Sequence, residues 1–144
     1  MIRILAVGKL KDARLAGLAA DFAQRIRPWS DLEIVELKDQ GPEREAAAML
    51  ARLGPPSGHG LTIALDERGA TATSHELSAL LGAHGSLTFL IGGPDGLGPA
   101  ARARADRILS LSPLTFTHET ARFLLLEQIY RGLAILRGHP YHRD

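Results

Sequence analysis

Leu87-Thr-Phe-Leu-Ile91 is an unbroken apolar run that empties into Gly92-Gly-Pro-Asp-Gly-Leu-Gly98. An all-apolar strand, with no alternation, belongs in the middle of a parallel sheet with both faces covered. A glycine loop at its carboxyl end places bare backbone where ligands of open α/β sheets bind. Gly96-Leu-Gly98-Pro-Ala-Ala101 formally fits the relaxed dinucleotide fingerprint, but that fingerprint belongs to the first strand–helix unit and this loop follows the fourth strand. Neither Lys-Ser nor Lys-Thr follows, so the loop is not a Walker phosphate loop.

Outward from this run, strand-length and helical patterns alternate. Ile2–Val7 reads as a first strand, and Asp12–Arg27 as a helix stopped by Pro28. Leu32–Leu37 alternates apolar and acidic residues, as a half-exposed strand does. Glu43–Leu53 is helical and ends at Gly54-Pro-Pro-Ser-Gly58. Leu61–Leu65 is a strand closed by Asp66. Thr73 and Glu76 have capping-box spacing ahead of a helix over Ser74–Ala83. Pro99 opens a short helix reaching Ala105, Arg107–Leu111 is a fifth strand, and Glu119–Leu136 is a long final helix. This alternation predicts an α/β fold, with a mainly parallel sheet and helices on both faces. The last helix is apolar on nearly every side, from Ala121 to Ile135, more than one sheet face can cover; it is either a central buried helix of a small domain or, the favoured reading, a subunit interface of a two-fold dimer.

The 144 residues read as a single domain, residues 1–144, large enough to need no staple. There is no cysteine, which excludes disulfides and thiolate metal sites and fits a cytoplasmic protein. No apolar stretch is long enough to span a bilayer. The net charge of +1 excludes a global basic field for naked nucleic acid, and the excess of Arg over Lys reads as coding bias.

Polar chemistry concentrates in His139-Pro-Tyr-His-Arg-Asp144. Chain ends fray unless tied down, so this tail is either disordered or held at a site. His139-x-x-His142 lacks a third ligand and is interrupted by Pro140, so no metal is expected; a base or a substrate clamp suits His142 better. Leu109-Ser-Leu-Ser-Pro-Leu-Thr-Phe116, read alone, is a strand breaking at Pro113. Arg122, Glu127 and Arg131 share a polar stripe. It is either a solvated face with a Glu127–Arg131 pair or a cationic groove.

Leu90-Ile-Gly-Gly-Pro-Asp-Gly-Leu97, Leu109–Phe116, His118, Arg122, Glu127-Gln-Ile-Tyr-Arg131 and His139-Pro-Tyr-His-Arg143, in this order, closely resemble the RlmH family. These are SPOUT-class methyltransferases acting on N3 of a pseudouridine in large-subunit (23S) rRNA. Ile4-Leu-Ala-Val-Gly-Lys-Leu-Lys11 resembles that family's first strand and turn. The resemblance implies a C-terminal trefoil knot and a homodimer that builds each site from two chains. It implies S-adenosyl-L-methionine contacts at Leu65, Gly92, Leu111, Ser112, Pro113, Leu114, Thr115 and Phe116. It also implies work on the assembled ribosome, with no metal and no membrane. His142 is then expected to be base or orienting group, Arg143 to stabilise anionic charge, and Tyr141 to stack on or hydrogen-bond the base. Two rivals share the fold: a methyltransferase acting on tRNA, and a non-catalytic ribosome-associated factor. Thr117 stands where the family has Pro, which is expected to loosen that turn. Gln40–Gly60 is shorter than in the family, a difference expected to touch surface contacts alone.

Overall fold

A computed structural model describes residues 1–56 and 60–144. Five parallel strands form one sheet: β1 (Ile2–Val7), β2 (Leu32–Leu37), β3 (Leu61–Thr71), β4 (Leu87–Ile91) and β5 (Arg107–Ser110). Their order across the sheet is β2-β1-β4-β3-β5. Five helices alternate with them: α1 (Ala13–Ile26), α2 (Pro42–Leu53), α3 (Ser74–Ala83), α4 (Pro99–Arg104) and α5 (His118–Leu136).

Alternation along each strand divides the core. In β1, Ile4 and Ala6 join the cluster under α1, α3 and α5, while Leu5 and Val7 join Met49 and Ala101 on the opposite face. The crossovers through α1 and α3 both move toward β2 on one face. Those through α2 and α4 move toward β5 on the other. One handedness thus serves all four, as right-twisted strands require. All five β4 residues are buried, the double coverage expected of its apolar run. β2 lies at the sheet edge with Glu33 exposed, as its alternation anticipated.

Local chemistry sets most boundaries. The Asp12 side chain caps α1 by accepting from the Arg14 and Leu15 backbone N–H groups. The Thr73–Glu76 capping box is present in full at α3. The Gly54 N–H caps α2 on Leu50; Ser57 and Gly58 of the expected break lie outside the described residues. α5 ends in a Schellman motif: Gly138 takes φ +66, and the N–H groups of Gly138 and His139 reach back to Ile135 and Ala134.

Three expectations change. β3 runs beyond Leu65 to Thr71, because Leu65 and Ala70 both pair with Leu109 and the four residues between them bulge out of the ladder. Thr117 does not loosen its turn: it is the N-cap of α5, and its hydroxyl accepts from the Thr120 N–H. The apolar surplus of α5 is largely spent within the chain. α1 packs on one side and α3 on the other, with Leu125, Leu126, Ile129 and Ala134 buried between them and the sheet. The α3 contact is close at Gly132, whose carbonyl accepts from the Ser78 hydroxyl at 2.7 Å and where a Cβ would lie 2.7 Å from Leu81 Cδ1.

Arg122 does not line a groove. It is buried, donating to Glu36 Oε2 at 2.6 Å and to the Gly8 carbonyl at 2.7 Å. This pins α5 to the carboxyl ends of β1 and β2. Arg122→Ala strands the Gly8 carbonyl and removes the packed stem, whereas the half-exposed Glu36 can rehydrate. The expected loss of about 2–3 kcal/mol is checked by urea denaturation, with Glu36→Gln costing less.

Candidate active site

A cleft of about 1020 Å³ opens at the carboxyl ends of the strands. Its walls are the bulge after Leu65, the glycine loop after β4, the segment from Leu111 to Thr117, the first turn of α5, and the start of α1 at Asp12 and Leu15. The chain leaves β1 toward β2 and leaves β4 toward β5, so the loops beyond these neighbouring strands diverge. Such a switch point is where doubly wound sheets bind ligands.

The glycine loop is folded on itself. Gly96, at φ +81, donates its N–H to the Gly93 carbonyl at 3.0 Å. A Cβ on Gly92 would stand 2.5 Å from the Gly96 carbonyl carbon. Glycine is therefore required at position 92 by the chain's own return. The bare backbone it leaves faces the cleft as a by-product. The β5–α5 segment is shaped by serines: Ser110 Oγ donates to the Ser112 carbonyl at 2.8 Å, and Ser112 Oγ accepts from the Leu114 N–H at 3.1 Å. Thr115 Oγ1 bonds Glu67, tying this segment to the bulge. Leu65, Gly92, Leu111, Ser112, Leu114, Thr115 and Phe116 all line the cleft. Pro113 sits within the segment without lining it.

The lining is acidic. Asp12, Asp66, Glu67, Asp95 and Glu119 face it, against Arg68 and His118. Burial pushes the Asp66 carboxyl up, but hydrogen bonds from the Arg68 backbone and side chain, with the Arg102 charge, outweigh it and leave the group lowered. Glu119 accepts the Lys11 and Asp12 N–H groups at 2.7 and 3.1 Å; the Asp12 bond foremost lowers its carboxyl. Asp12 is held at about 2 by its Arg14 partner. Sequence reading missed these carboxylates. Asp66-Glu-Arg-Gly69 looked like a strand end, and nothing local announced that four residues would bulge toward the cleft.

The tail is held, but elsewhere. Trp29 and Tyr130 stack at 5.0 Å, with His139 edge-on to Trp29. Tyr141 lies 4.7 Å from the Tyr130 ring and 4.8 Å from the Arg131 guanidinium. Burial foremost, and Glu127 nearby, push the Tyr141 phenol up, so it stays protonated. His142 Nδ1 meets Arg131 Nη1 at 3.1 Å and its Nε2 meets Asp144 Oδ1 at 3.0 Å, while Asp144 also bonds His75 at 2.8 Å. Arg143 is exposed. Arg131 stands more than three turns along α5 from cleft-lining His118, about 20 Å on the helical rise. One chain therefore does not bring the two groups of expected site residues together.

A family model described as "Predicted SPOUT methyltransferase" matches residues 1–142. The chain belongs to the SPOUT methyltransferase family. Among relatives of this SPOUT chain, the ribosomal RNA large subunit methyltransferase H of Synechococcus sp. (strain RCC307) is 46% identical over 145 residues, covering 99% of this chain and 95% of the relative. That of Geobacter metallireducens is 42% identical over 154 residues, covering 99% of each. A probable methylase family protein from Haemophilus influenzae Rd KW20 shares the fold, with a TM-score of 0.61 at 10% identity over 99% of this chain and 70% of its own. Among the described residues no helix is long and apolar enough to cross a membrane.

Two outcomes test the SPOUT cleft. Gly92→Ala sets a Cβ 2.5 Å from the Gly96 carbonyl carbon and forces the loop open, so thermal denaturation should show a lowered Tm while the far-ultraviolet spectrum is kept. For Asp12, the folded carboxyl titrates below its ordinary 3.8, so its contribution is present above that value and lost as pH falls toward about 2. Asp12→Asn should flatten the acid unfolding profile within that window.

Proposed function

We propose that this enzyme transfers a methyl group from S-adenosyl-L-methionine to N3 of a pseudouridine in 23S rRNA, on the assembled ribosome and as a homodimer. The full-length likeness to relatives named as large-subunit rRNA methyltransferases carries this reading. The residues present fit the cofactor. Its sulfonium and ammonium are cationic, and the cleft is rich in carboxylates. Leu65, Gly92 and Leu111–Phe116 would hold it, and it supplies an activated methyl group. Glycine-loop and serine-shaped backbone offers fixed carbonyl and N–H groups for orienting a displacement.

The dimer reading rests on the separation along α5. Two-fold pairing can set the Tyr141–Arg143 end of one chain over the cleft of its partner. Tyr141, still protonated, can donate to the base or stack on it, and Arg143 is free to neutralise the imide anion. His142 orients the imide or relieves it of its proton. The family's C-terminal knot belongs to the same proposal. The near-neutral net charge suits a shaped ribosomal surface better than naked RNA.

Methyl transfer from labelled cofactor should be strong on ribosomes and weak on protein-free rRNA or tRNA. Arg143→Ala should lower turnover on ribosomes by about 10²-fold. Equal labelling of deproteinised RNA would refute ribosome dependence. Cofactor binding without transfer to any substrate would favour the ribosome-associated factor.

A further inference from the structure

His142 is held at both ring nitrogens. Arg131 lies at Nδ1, and its own position is fixed by Glu127, which accepts from Arg131 Nε at 2.8 Å and from Nη2 at 3.4 Å. Both side chains of this pair are largely buried beneath the tail. A guanidinium has donors only. At 3.1 Å from Arg131 Nη1, His142 Nδ1 must therefore be the bare, accepting nitrogen, and the single proton of a neutral ring sits on Nε2. That N–H points to Asp144 Oδ1.

The same contact speaks against a metal use of this corner. His75, His142 and Asp144 offer ligand atoms within 4.8 Å of one another. A ligating His142 Nε2 would need Nδ1–H to donate to an acceptor, and the group at Nδ1 is itself a donor.

We propose that Arg131, clamped by Glu127, locks His142 as the Nε2–H tautomer, so that His142 serves methyl transfer as a hydrogen-bond donor and not as the base. The catalytic half of this inference rests on the proposed placement of the tail over a partner's cleft; the tautomer does not. On engagement a carbonyl oxygen of the imide takes the place of Asp144, whose exposed side chain is held, among the described residues, by the two histidines. The N3 proton leaves to water, and the Nε2–H stabilises the anion. N3 then forms its bond to the methyl carbon as the carbon–sulfur bond breaks, its electron pair staying on sulfur. Arg131 is a positioning residue.

Nitrogen-15 NMR of the labelled protein, with His142 assigned by its loss in His142→Ala, decides the tautomer. The expected result is a protonated Nε2 and a bare Nδ1 in the wild type. Arg131→Met should release the lock and admit the Nδ1–H form, and Arg131→Lys should partly restore the original. A wild-type ring carrying its proton on Nδ1, or exchanging between both forms, overturns the proposal. Kinetics on ribosomes decide the role. Gln places an amide N–H near the Nε2 position and cannot act as a base. Loss of such a donor costs about 10²–10³ in kcat, so His142→Ala should fall by about 10²-fold and His142→Gln should recover at least about tenfold of it. Equal loss in both variants overturns the donor role. Wild-type rates in both variants, with the tautomer confirmed, would refute the tail's placement and leave the lock standing.

Discussion

The buried guanidinium of Arg122 holds the active end of this molecule together. It closes on Glu36 at the end of β2 and on the Gly8 carbonyl at the end of β1, so the start of α5 cannot drift from the strand ends. One turn earlier, Glu119 grips the Lys11 and Asp12 N–H groups, and Asp12 in turn caps α1. Four charged side chains, Arg122, Glu36, Glu119 and Asp12, thus tie two helices to the strand ends. The cleft inherits its shape from that weld, because His118, Glu119 and Asp12 are all in its wall.

The cleft and the tail have opposite characters, and the contrast follows from how each is held. Cleft residues hang on backbone turns, short serine bonds and a bulge, leaving main-chain groups on display. The tail is held by rings and side chains: Trp29, Tyr130 and Tyr141 in sequence, with Arg131 beneath them. Carboxylates gather at the first place, and aromatic rings with the paired Arg131 at the second.

The fold was legible because its signals are local. Leu87–Ile91 is apolar at all but Thr88 and buried at every position since both its faces are covered, and Thr73 with Glu76 spell a capping box whatever surrounds them. The segment from Leu111 to Phe116 came from ordered motifs at family spacing, and it does line the cleft except at Pro113. What escaped reading is tertiary. Arg122 reads as one more basic residue on a helix until Glu36 and Gly8, more than eighty residues away in sequence, are seen beside it. The carboxylates of Asp66 and Glu67 face the cleft through a register shift against β5 that no single segment encodes. The surplus of α5 suggested a partner because sequence cannot tell which of the chain's own helices will flank it.

α5 has the cleft at one end and the tail at the other, and it is a rod with no proline and no internal glycine besides Gly132, which is packed against α3. It therefore works as a ruler. A residue inserted between Ala121 and Tyr130 would advance the tail by about 1.5 Å and swing it by about 100° around the helix axis. The length of this helix is thus under a geometric constraint that an exposed turn such as Pro94–Asp95 does not share. The distance from the cleft to the tail is set by counting residues along a single helix.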